Sequence, residues 1–239
     1  MLKRIVKSAV RGLGYDLKRL HPGSSDAAQL NAMLLSHGIN LVFDVGANTG
    51  QFGNTLRESG YRGRIVSFEP LSAAREQLLK ASKNDPLWEI APQAAIGSKD
   101  GEIDIHIAAN SQSSSVLNML DAHSSAAPES RYIGSERVQM HCLDSLAPRY
   151  LRRDSTSFLK IDTQGYEEHV LKGASETLGL IAGLRLELSL VPLYEGQRLF
   201  DDLIEQVKAL DFSLWALSPV LVDPRTGRLL QVDATFFSK

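Results

Sequence analysis

Apolar runs and amphipathic stretches alternate along this chain, and the alternation limits the folds open to it. Runs typical of buried strands lie at residues 41–45, 64–68, 88–91, 158–161 and 184–190. Helical patterns lie at residues 26–37, 51–59, 72–82, 167–178 and 199–210. Strands separated by helices predict a parallel sheet covered by helices on both faces. We therefore predict an α/β fold built on a doubly wound sheet.

Three stretches depart from that alternation. Residues 101–108, "GEIDIHIA", alternate apolar and polar positions and predict an extra strand. Residues 109–135 are rich in Ser and Ala and begin with "NSQSSSVLN", which predicts a long functional loop. Near the C-terminal end, two strand-like runs flank "DPRTG", where Pro224 and Gly227 favour a turn. This stretch predicts an antiparallel hairpin that closes the sheet.

Composition narrows the class of protein. With 239 residues, of which 43% are hydrophobic, the chain can bury a full core as one domain. A net charge of −2 gives no indication of a nucleic-acid partner. The single cysteine, Cys142, excludes an internal disulfide and fits a reducing compartment. Residues 1–23 lack the long apolar core of a secretory signal. We predict a cytoplasmic protein.

The first 20 residues have a charge pattern of their own. Against the single acid Asp16, this segment holds six basic residues: Lys3, Arg4, Lys7, Arg11, Lys18 and Arg19. Apolar residues recur between them at helical spacing, which predicts a basic amphipathic helix. The helix either packs on the domain or makes peripheral contact with anionic lipid at the inner membrane face. We predict an N-terminal extension over residues 1–40 and the main domain over residues 41–239.

The stretch "LVFDVGANTGQF", residues 41–52, predicts a strand, a tight turn and a helix. Gly46 and Gly50 bracket the turn, and the helix N-terminus that follows favours an anionic group. Glycines that serve packing alone are the other interpretation. Glu69 ends the next strand, 25 residues after Asp44. In doubly wound sheets an acid at this place accepts hydrogen bonds from ribose hydroxyls.

The order of the glycines separates two nucleoside cofactors. A dinucleotide turn expects G-x-G-x-x-G, whereas this chain has G-A-N-T-G with Asn48 in the middle. Asp44, two residues before Gly46, is placed to meet an ammonium group. A ligand that combines an ammonium, a carboxylate and a ribose is S-adenosylmethionine. The turn therefore favours S-adenosylmethionine over NAD.

The motifs "FDVGANTGQF", "VSFEP", "AAIGSKDG" and "FLKIDTQGYEEHVLKGA" together resemble the FkbM-type family of S-adenosylmethionine-dependent methyltransferases, over roughly residues 41–215. The resemblance implies the class I methyltransferase fold, a Rossmann-like, seven-stranded and mostly parallel sheet with an antiparallel strand from the C-terminal hairpin. It also implies methyl transfer to oxygen, often to a hydroxyl of a sugar or a polyketide-type natural product.

Carried over residue by residue, the resemblance implies a cofactor site. Its expected members are the turn residues, the ribose-binding acid, a residue beside the adenine and a serine stretch closing over the cofactor: Asp44, Gly46, Asn48, Gly50, Glu69, Ala95 and Ser113 to Ser115. After "KID" the family commonly continues Val-Glu-Gly, whereas this chain has Thr163-Gln164-Gly165. The amide in place of the second carboxylate argues against a shared metal, and no metal is predicted.

Methyl transfer to a hydroxyl calls for a group that takes its proton. Asp162, at the carboxyl end of the fourth parallel strand, is the first candidate for this base or for an orienting residue. A helix-capping role is the alternative. Glu187 in "LRLELSL" is the second catalytic candidate, and a solvent-facing acid or an Arg–Glu pair is the alternative. His106 and His141 are further candidate bases beside the serine-rich loop.

We therefore predict an O-methyltransferase that acts on a sugar hydroxyl of a glycolipid or another glycosylated natural product. Two other classes of function stay open at this point. One is an NAD-dependent oxidoreductase, which the glycine order disfavours. The other is a non-catalytic nucleoside-binding or scaffold protein that kept the fold, and Gln164 is the one feature that favours it. The acceptor and the oligomeric state are not predicted.

Overall fold

The computed structural model of the chain describes residues 6–7, 10–15 and 21–239. Its strands in chain order are β1 (Leu41–Val45), β2 (Arg64–Phe68), β3 (Trp88–Ile90), β4 (Ala95–Ile96), β5 (Gly101–Ala108), β6 (Tyr132–His141), β7 (Ser157–Ile161), β8 (Ile181–Ser189), β9 (Phe212–Val222) and β10 (Leu229–Ser238). Seven of them form one sheet in the order β3-β2-β1-β7-β8-β10-β9. Strand β10 runs antiparallel to both of its neighbours, β8 and β9. The predicted fold class is confirmed.

The helices of the described part are α1 (Asp26–Ser36), α2 (Gln51–Ser59), α3 (Ser72–Ser82), α4 (Asp121–Ala126), α5 (Leu143–Leu146), α6 (Glu167–Lys172), α7 (Ser175–Leu178) and α8 (Phe200–Ala209). Short 3-10 turns cover Pro128–Ser130 and Ala147–Arg149. None of the helices in the described part of the chain has the length and apolar character needed to cross a membrane.

Alternate residues of the central strands feed two separate cores, one on each face of the sheet. Phe43 of β1 belongs to a cluster that includes Val170 and Leu203 from α6 and α8. Its neighbour Val42 belongs to a cluster on the opposite face, with residues from α1, α2 and α3. Both faces are therefore covered by helices, which explains why the central strands are apolar throughout.

Helix α1 lies within the predicted N-terminal extension, yet it packs on the sheet. Ser25 caps it by accepting a hydrogen bond from the N–H of Ala28, and Leu30 and Leu34 are buried in the core. The boundary at residue 41 stays a prediction. Most of the predicted basic helix over residues 1–20 lies outside the described residues, and Leu13 and Tyr15, which are described, are exposed.

The predicted loop at residues 109–135 is wrong over its second half. Helix α4 lies within it, and β6 begins at Tyr132 and pairs with β5 and β4 in a separate three-stranded sheet. We call residues 109–120, which join β5 to α4, the strap. The single helix predicted for residues 167–178 is in fact α6 and α7. Between them, Gly173 packs so closely that a Cβ would lie 1.9 Å from the Gly97 carbonyl oxygen.

Candidate active site

The turn between β1 and α2 adopts a backbone that favours glycine. Gly46, Asn48 and Gly50 all have positive φ angles, of 74°, 47° and 94°. Gly46 also has no room for a side chain, because a Cβ would lie 1.8 Å from the carbonyl oxygen of Asp162. The end of β1 therefore touches the end of β7 directly, and the turn opens at the carboxyl edge of the sheet, where ligands bind in such folds.

Glu69 follows β2 and holds this turn in place. Its Oε2 accepts a hydrogen bond of 2.7 Å from the N–H of Asn48, and its Oε1 accepts one of 2.8 Å from the N–H of Leu71. Each carboxylate oxygen has a second lone pair. The two remaining lone pairs can accept hydrogen bonds from the two hydroxyls of a diol. Burial raises the pKa of Glu69 to about 7, although the two N–H groups oppose the rise.

Behind the turn lies a buried ion pair that the sequence analysis did not identify. Lys160 Nζ lies 3.2 Å from Asp44 Oδ1 and 3.4 Å from Asp162 Oδ2. Among the described residues, Asp44 Oδ1 has no partner with hydrogen-bond geometry, whereas its Oδ2 accepts one from Ser67 Oγ. Burial lowers the pKa of Lys160, but the Asp162 and Asp44 carboxylates outweigh it and raise the pKa, so this lysine stays charged.

Four side chains form a polar chain at the carboxyl edge of β7 and β8. Gln164 Nε2 donates to Asp162 Oδ1 at 2.8 Å and to Glu187 Oε2 at 2.6 Å. Gln231 Nε2 donates to the same Glu187 oxygen at 3.0 Å. The remaining atom of the Gln164 amide, Oε1, accepts from the Tyr194 hydroxyl at 2.7 Å. We call Asp162, Gln164, Glu187 and Gln231 the acid–amide chain.

The electrostatics of this edge follow from its buried acids. Burial raises the pKa of Glu187 well above its usual range, and the neighbouring Asp162 and Asp233 carboxylates add to the rise. Arg185, on the same face of β8, pairs with Asp26 at 2.8 Å and with Asp233 at 2.7 Å. Glu187 is buried, so it is not a solvent-facing acid, and within the described chain Arg185 forms its ion pairs with Asp26 and Asp233 instead of with Glu187.

A cavity of about 490 Å³ joins the turn to the acid–amide chain. Among the described residues, its wall includes most of the predicted site: Gly46, Asn48, Glu69, Ala95, Ser113 to Ser115, Asp162 and Glu187. Two predicted cofactor residues, Asp44 and Gly50, do not line it. Asp44 is fully buried on β1, and its cationic neighbour is Lys160 instead of a ligand ammonium. Gly50 packs towards Leu78 and Trp88, in the second of the two cores.

One end of the cavity is apolar. Leu71, Ala95, Ile96 and Ile105 line it, and each is at most 6% exposed. Glu69 stands beside this end, next to Leu71 in space. A flat heterocycle in the apolar end would leave its ribose at the Glu69 carboxylate.

The strap crosses over the cavity and contacts both of its sides. Ser111 Oγ hydrogen bonds to Asn48 Oδ1 at 3.1 Å, on the turn. Ser115 Oγ donates to the carbonyl oxygen of Gln164 at 2.7 Å, on the acid–amide chain. The serine that reaches the turn is thus Ser111, just before the predicted stretch Ser113 to Ser115, whereas Ser115 contacts the acid–amide chain.

The histidines differ in their position relative to the cavity. His106 stacks on Tyr132, and His141 lies 3.5 Å from Asp100; neither is part of the cavity wall formed by the described residues. His123 of α4, which no sequence pattern indicated, is in that wall. His169 of α6 stacks on Tyr166 with ring centroids 4.1 Å apart.

The residues present fit S-adenosylmethionine. The apolar end suits adenine, and the Glu69 carboxylate suits a ribose diol. The backbone N–H groups that open α2 suit a carboxylate. Acids outnumber bases in the described wall, which favours a cationic sulfonium and ammonium. Together with the strand order, this site defines a class I S-adenosylmethionine-dependent methyltransferase.

Sequence comparison agrees with that class. The family described as "Methyltransferase FkbM domain" matches residues 44–214. The chain belongs to this family, and S-adenosylmethionine is its cofactor. No curated protein matches the chain.

Solved structures with a similar fold are distant in sequence. Magnesium protoporphyrin IX methyltransferase from Synechocystis PCC 6803, with bound S-adenosylmethionine, is 14% identical, with a TM-score of 0.47 over 99% of this chain and 97% of that one. Burkholderia thailandensis 1,6-didemethyltoxoflavin-N1-methyltransferase is 13% identical, with a TM-score of 0.47 over 89% and 78%. A Streptococcus thermophilus rRNA methylase is 12% identical, with a TM-score of 0.48 over 92% and 99%.

Proposed function

We propose that this methyltransferase transfers the methyl group to a hydroxyl oxygen of a sugar-bearing acceptor. The observation that carries the proposal is the acid–amide chain, which lies in the same cavity as the cofactor turn. It alternates carboxylates, which accept hydrogen bonds, with amides, which both donate and accept them. A polyhydroxyl ring presents donors and acceptors at similar spacing, so this wall suits a sugar better than it suits an apolar or anionic acceptor.

Each part of the cavity then has a role toward the cofactor. Glu69 accepts hydrogen bonds from the ribose, Ala95 and its apolar neighbours hold the adenine, and the turn from Gly46 through Asn48 carries the methionine end. Ser115 fixes the strap above it. Lys160 does not titrate near neutral pH, so its role is to hold the Asp162 carboxylate at the end of β7.

Catalysis in this site rests on alignment. The bound cofactor supplies an electrophilic methyl group, and an acceptor oxygen held in line with it reacts faster because orientation is fixed beforehand. We assign Asp162 to orient the acceptor through one of its hydroxyls. Asp162 Oδ1 is held by Gln164 and Oδ2 by Lys160, and its side chain is 32% exposed, so it can still accept from a ligand. Glu187 holds the Gln164 amide in place by accepting its second hydrogen bond.

Gln164 does not indicate a degraded site. All of its side-chain polar atoms are used: the amide bridges two carboxylates and accepts from Tyr194. The loop that presents it is fixed as well, because Glu167 Oε1 accepts from the N–H groups of Thr163 and Gly165. This argues against a binding protein that lost its activity, and family membership argues against the oxidoreductase.

Incubation with a donor that carries a deuterated methyl group tests the proposal. The acceptors are a set of simple methyl glycosides, matched sugars with an amino group in place of one hydroxyl, and glycolipids. We expect the label on oxygen, located by NMR of the product, and an Asp162→Ala variant that binds the cofactor but raises KM for the sugar. Label on nitrogen or carbon, or no transfer to any sugar, would contradict the proposal.

We also propose that the basic segment at residues 1–20 brings the enzyme to an anionic membrane surface at the cytoplasmic face, within reach of a glycolipid acceptor. The support is the charge of this segment, six bases against one acid. We expect full-length protein to sediment with vesicles containing anionic phosphatidylglycerol, and a variant lacking residues 1–22 to remain in the supernatant. Equal sedimentation of the two proteins would overturn this part of the proposal.

A further inference from the structure

His123 has features that ordinary packing does not explain. Its side chain is 2% exposed and lies in the wall of the cavity. Within the described chain, its Nδ1 is buried and has no hydrogen-bond partner. Buried polar atoms in folded proteins are almost always paired. This unpaired one belongs to a ring in the wall of the cavity, so the ring is a candidate to meet a ligand bound there.

The ring is held next to the acid–amide chain. It packs edge-on against Tyr194 with ring centroids 5.1 Å apart, and the Tyr194 hydroxyl donates to Gln164. The Tyr194 hydroxyl also lies 3.4 Å from the carbonyl oxygen of Ser113 in the strap. His123 therefore lies in the wall of the cavity where the sugar is proposed to bind, and Tyr194 connects it to the acid–amide chain.

The ring is uncharged near neutral pH. Burial lowers the pKa of His123 below its usual value of 6.5, and Glu129, on the adjacent 3-10 turn, opposes the shift. Tyr194, from the loop after β8, is a titratable group whose ring contacts His123, and Asp121 lies on the same helix α4. A neutral imidazole has one nitrogen free to accept a proton.

We propose that His123 is the catalytic residue that accepts the proton of the reacting acceptor hydroxyl. This inference rests on the proposed methyl transfer to a hydroxyl. As the acceptor oxygen forms its bond to the methyl carbon, the bond between that carbon and sulfur breaks, and its electron pair stays on sulfur. The hydroxyl proton moves to a ring nitrogen of His123, and the imidazolium later releases it to solvent. Asp162 meanwhile binds a neighbouring hydroxyl of the same sugar.

The decisive variants are His123→Asn and His123→Gln, whose amides imitate the hydrogen bonds of Nδ1 and Nε2 but take no proton. His169→Asn is the matched control. Within the described chain, His169 also has a buried unpaired Nδ1 and a lowered pKa, but it stacks on Tyr166 and is not in the cavity wall. General-base catalysis contributes about 10²- to 10⁴-fold. We expect a loss of kcat in that range for both His123 variants, with little change in KM or in calorimetric affinity for the cofactor, and none of this in the control.

Two further readouts separate a proton acceptor from a structural residue. The wild-type rate should fall in acid with the pKa that NMR assigns to His123 in the cofactor-bound protein, and the variants should lose this dependence. Retention of kcat and of the acid limb by either His123 variant would overturn the inference while leaving the methyl transfer intact. Absence of transfer by the wild type would instead overturn the proposed function.

Discussion

The amide of Gln164 joins two acids that would otherwise repel each other. It donates one hydrogen to Asp162 and the other to Glu187. A carboxylate at this place could donate neither hydrogen bond unless it were protonated. The hydrogen bonds between Asp162 and Glu187 therefore both run through the Gln164 nitrogen atom. Gln164 stands where the family resemblance implies a glutamate.

Replacing Gln164 by Glu should destabilise the protein in a pH-dependent way. Three acids would then share one hydrogen-bonded cluster, and unpaired buried groups of this kind cost about 1–3 kcal/mol each. We expect urea unfolding to show a loss of at least that size at pH 8, and a smaller loss at pH 6.5, where protonation restores a donor. Gln112→Glu, an exposed change of the same charge in the strap, is the control. Equal losses in both variants would contradict the bridging role.

Glu69 links cofactor binding to pH. Its pKa of about 7 in the free protein means that it carries a proton over part of the physiological range, whereas ribose hydroxyls require the ionised acceptor. Since one pKa unit is about 1.4 kcal/mol, affinity for S-adenosylmethionine should be about tenfold weaker at pH 6 than at pH 8.

Calorimetry in buffers of different ionisation enthalpy measures this effect, because binding at pH 6.5 should release a proton. Glu69→Gln should bind more weakly and lose the pH dependence. Glu89→Gln, a change at a largely exposed acid on β3, should keep it. A pH-independent affinity in the wild type would show that Glu69 does not meet the cofactor.

The turn after β1 could be predicted from sequence, because glycine spacing and the acid after β2 are local signals, although two residues predicted with them, Asp44 and Gly50, do not line the cavity. The acid–amide chain could not. The sequence predicts Asp162 and Glu187 singly, but not the amides that link them. Gln164, Glu187 and Gln231 are far apart in the chain, and the adjacency of β7, β8 and β10 brings them together. Lys160 stands out in the sequence as a lone charge inside an apolar strand, while His123 and Tyr194 have no local signal.

At the level of elements, the turn between β1 and α2 is fixed by contact as well as by conformation. Gly46 has a positive φ and touches the backbone of Asp162. Gly38 also has a positive φ, but no atom of the described chain comes within 4 Å of the place that a Cβ would take. Substitution of Gly38 therefore measures the cost of backbone strain alone, and substitution of Gly46 adds the cost of a steric conflict.

Gly38→Ala should lower the free energy of unfolding by about 1–2 kcal/mol, the cost of the left-handed conformation alone. Gly46→Ala should lower it by clearly more and should abolish S-adenosylmethionine binding, because β1 and β7 must move apart. Chemical denaturation together with calorimetry measures both. Similar stability and retained binding in the two variants would contradict the contact between the strand ends.

Most elements could be predicted because their strands are buried on both faces and their helices are amphipathic. Strand β6 could not, since only two of its ten residues are buried and its sequence, "YIGSERVQMH", lacks a sustained apolar pattern. The hairpin of β9 and β10 was predicted from its turn. The insertion of β10 between β8 and β9 followed only from the family resemblance, because local sequence does not determine strand order.

Across the described part of the molecule, three buried acids and one partly buried acid have raised pKa values: Glu69, Glu167, Glu187 and, partly buried, Asp233. An acid whose pKa is higher in the folded than in the unfolded state binds more protons when folded. Stability then falls as pH rises from the unfolded value to the folded value. The exposed acids with lowered pKa values change the stability only at pH values below this range.

We therefore expect the ligand-free protein to be less stable at pH 8 than at pH 6.5. Glu69 and Glu167, each with a pKa of about 7, contribute about 1 kcal/mol each over this interval. Saturating S-adenosylmethionine, which is cationic, should reduce the difference. Urea unfolding at the two pH values measures it, and a protein more stable at pH 8 would contradict the burial of these acids.

The most direct test of the cofactor site is a calorimetric titration of the purified protein with S-adenosylmethionine, its demethylated product and NAD, repeated with Glu69→Ala. We predict that the two adenosyl ligands bind at one site per chain, that NAD does not bind, and that the variant binds the adenosyl ligands more than tenfold more weakly. Binding of NAD, or failure of both adenosyl ligands to bind, would contradict the assignment of the turn, Glu69 and the apolar end of the cavity to S-adenosylmethionine.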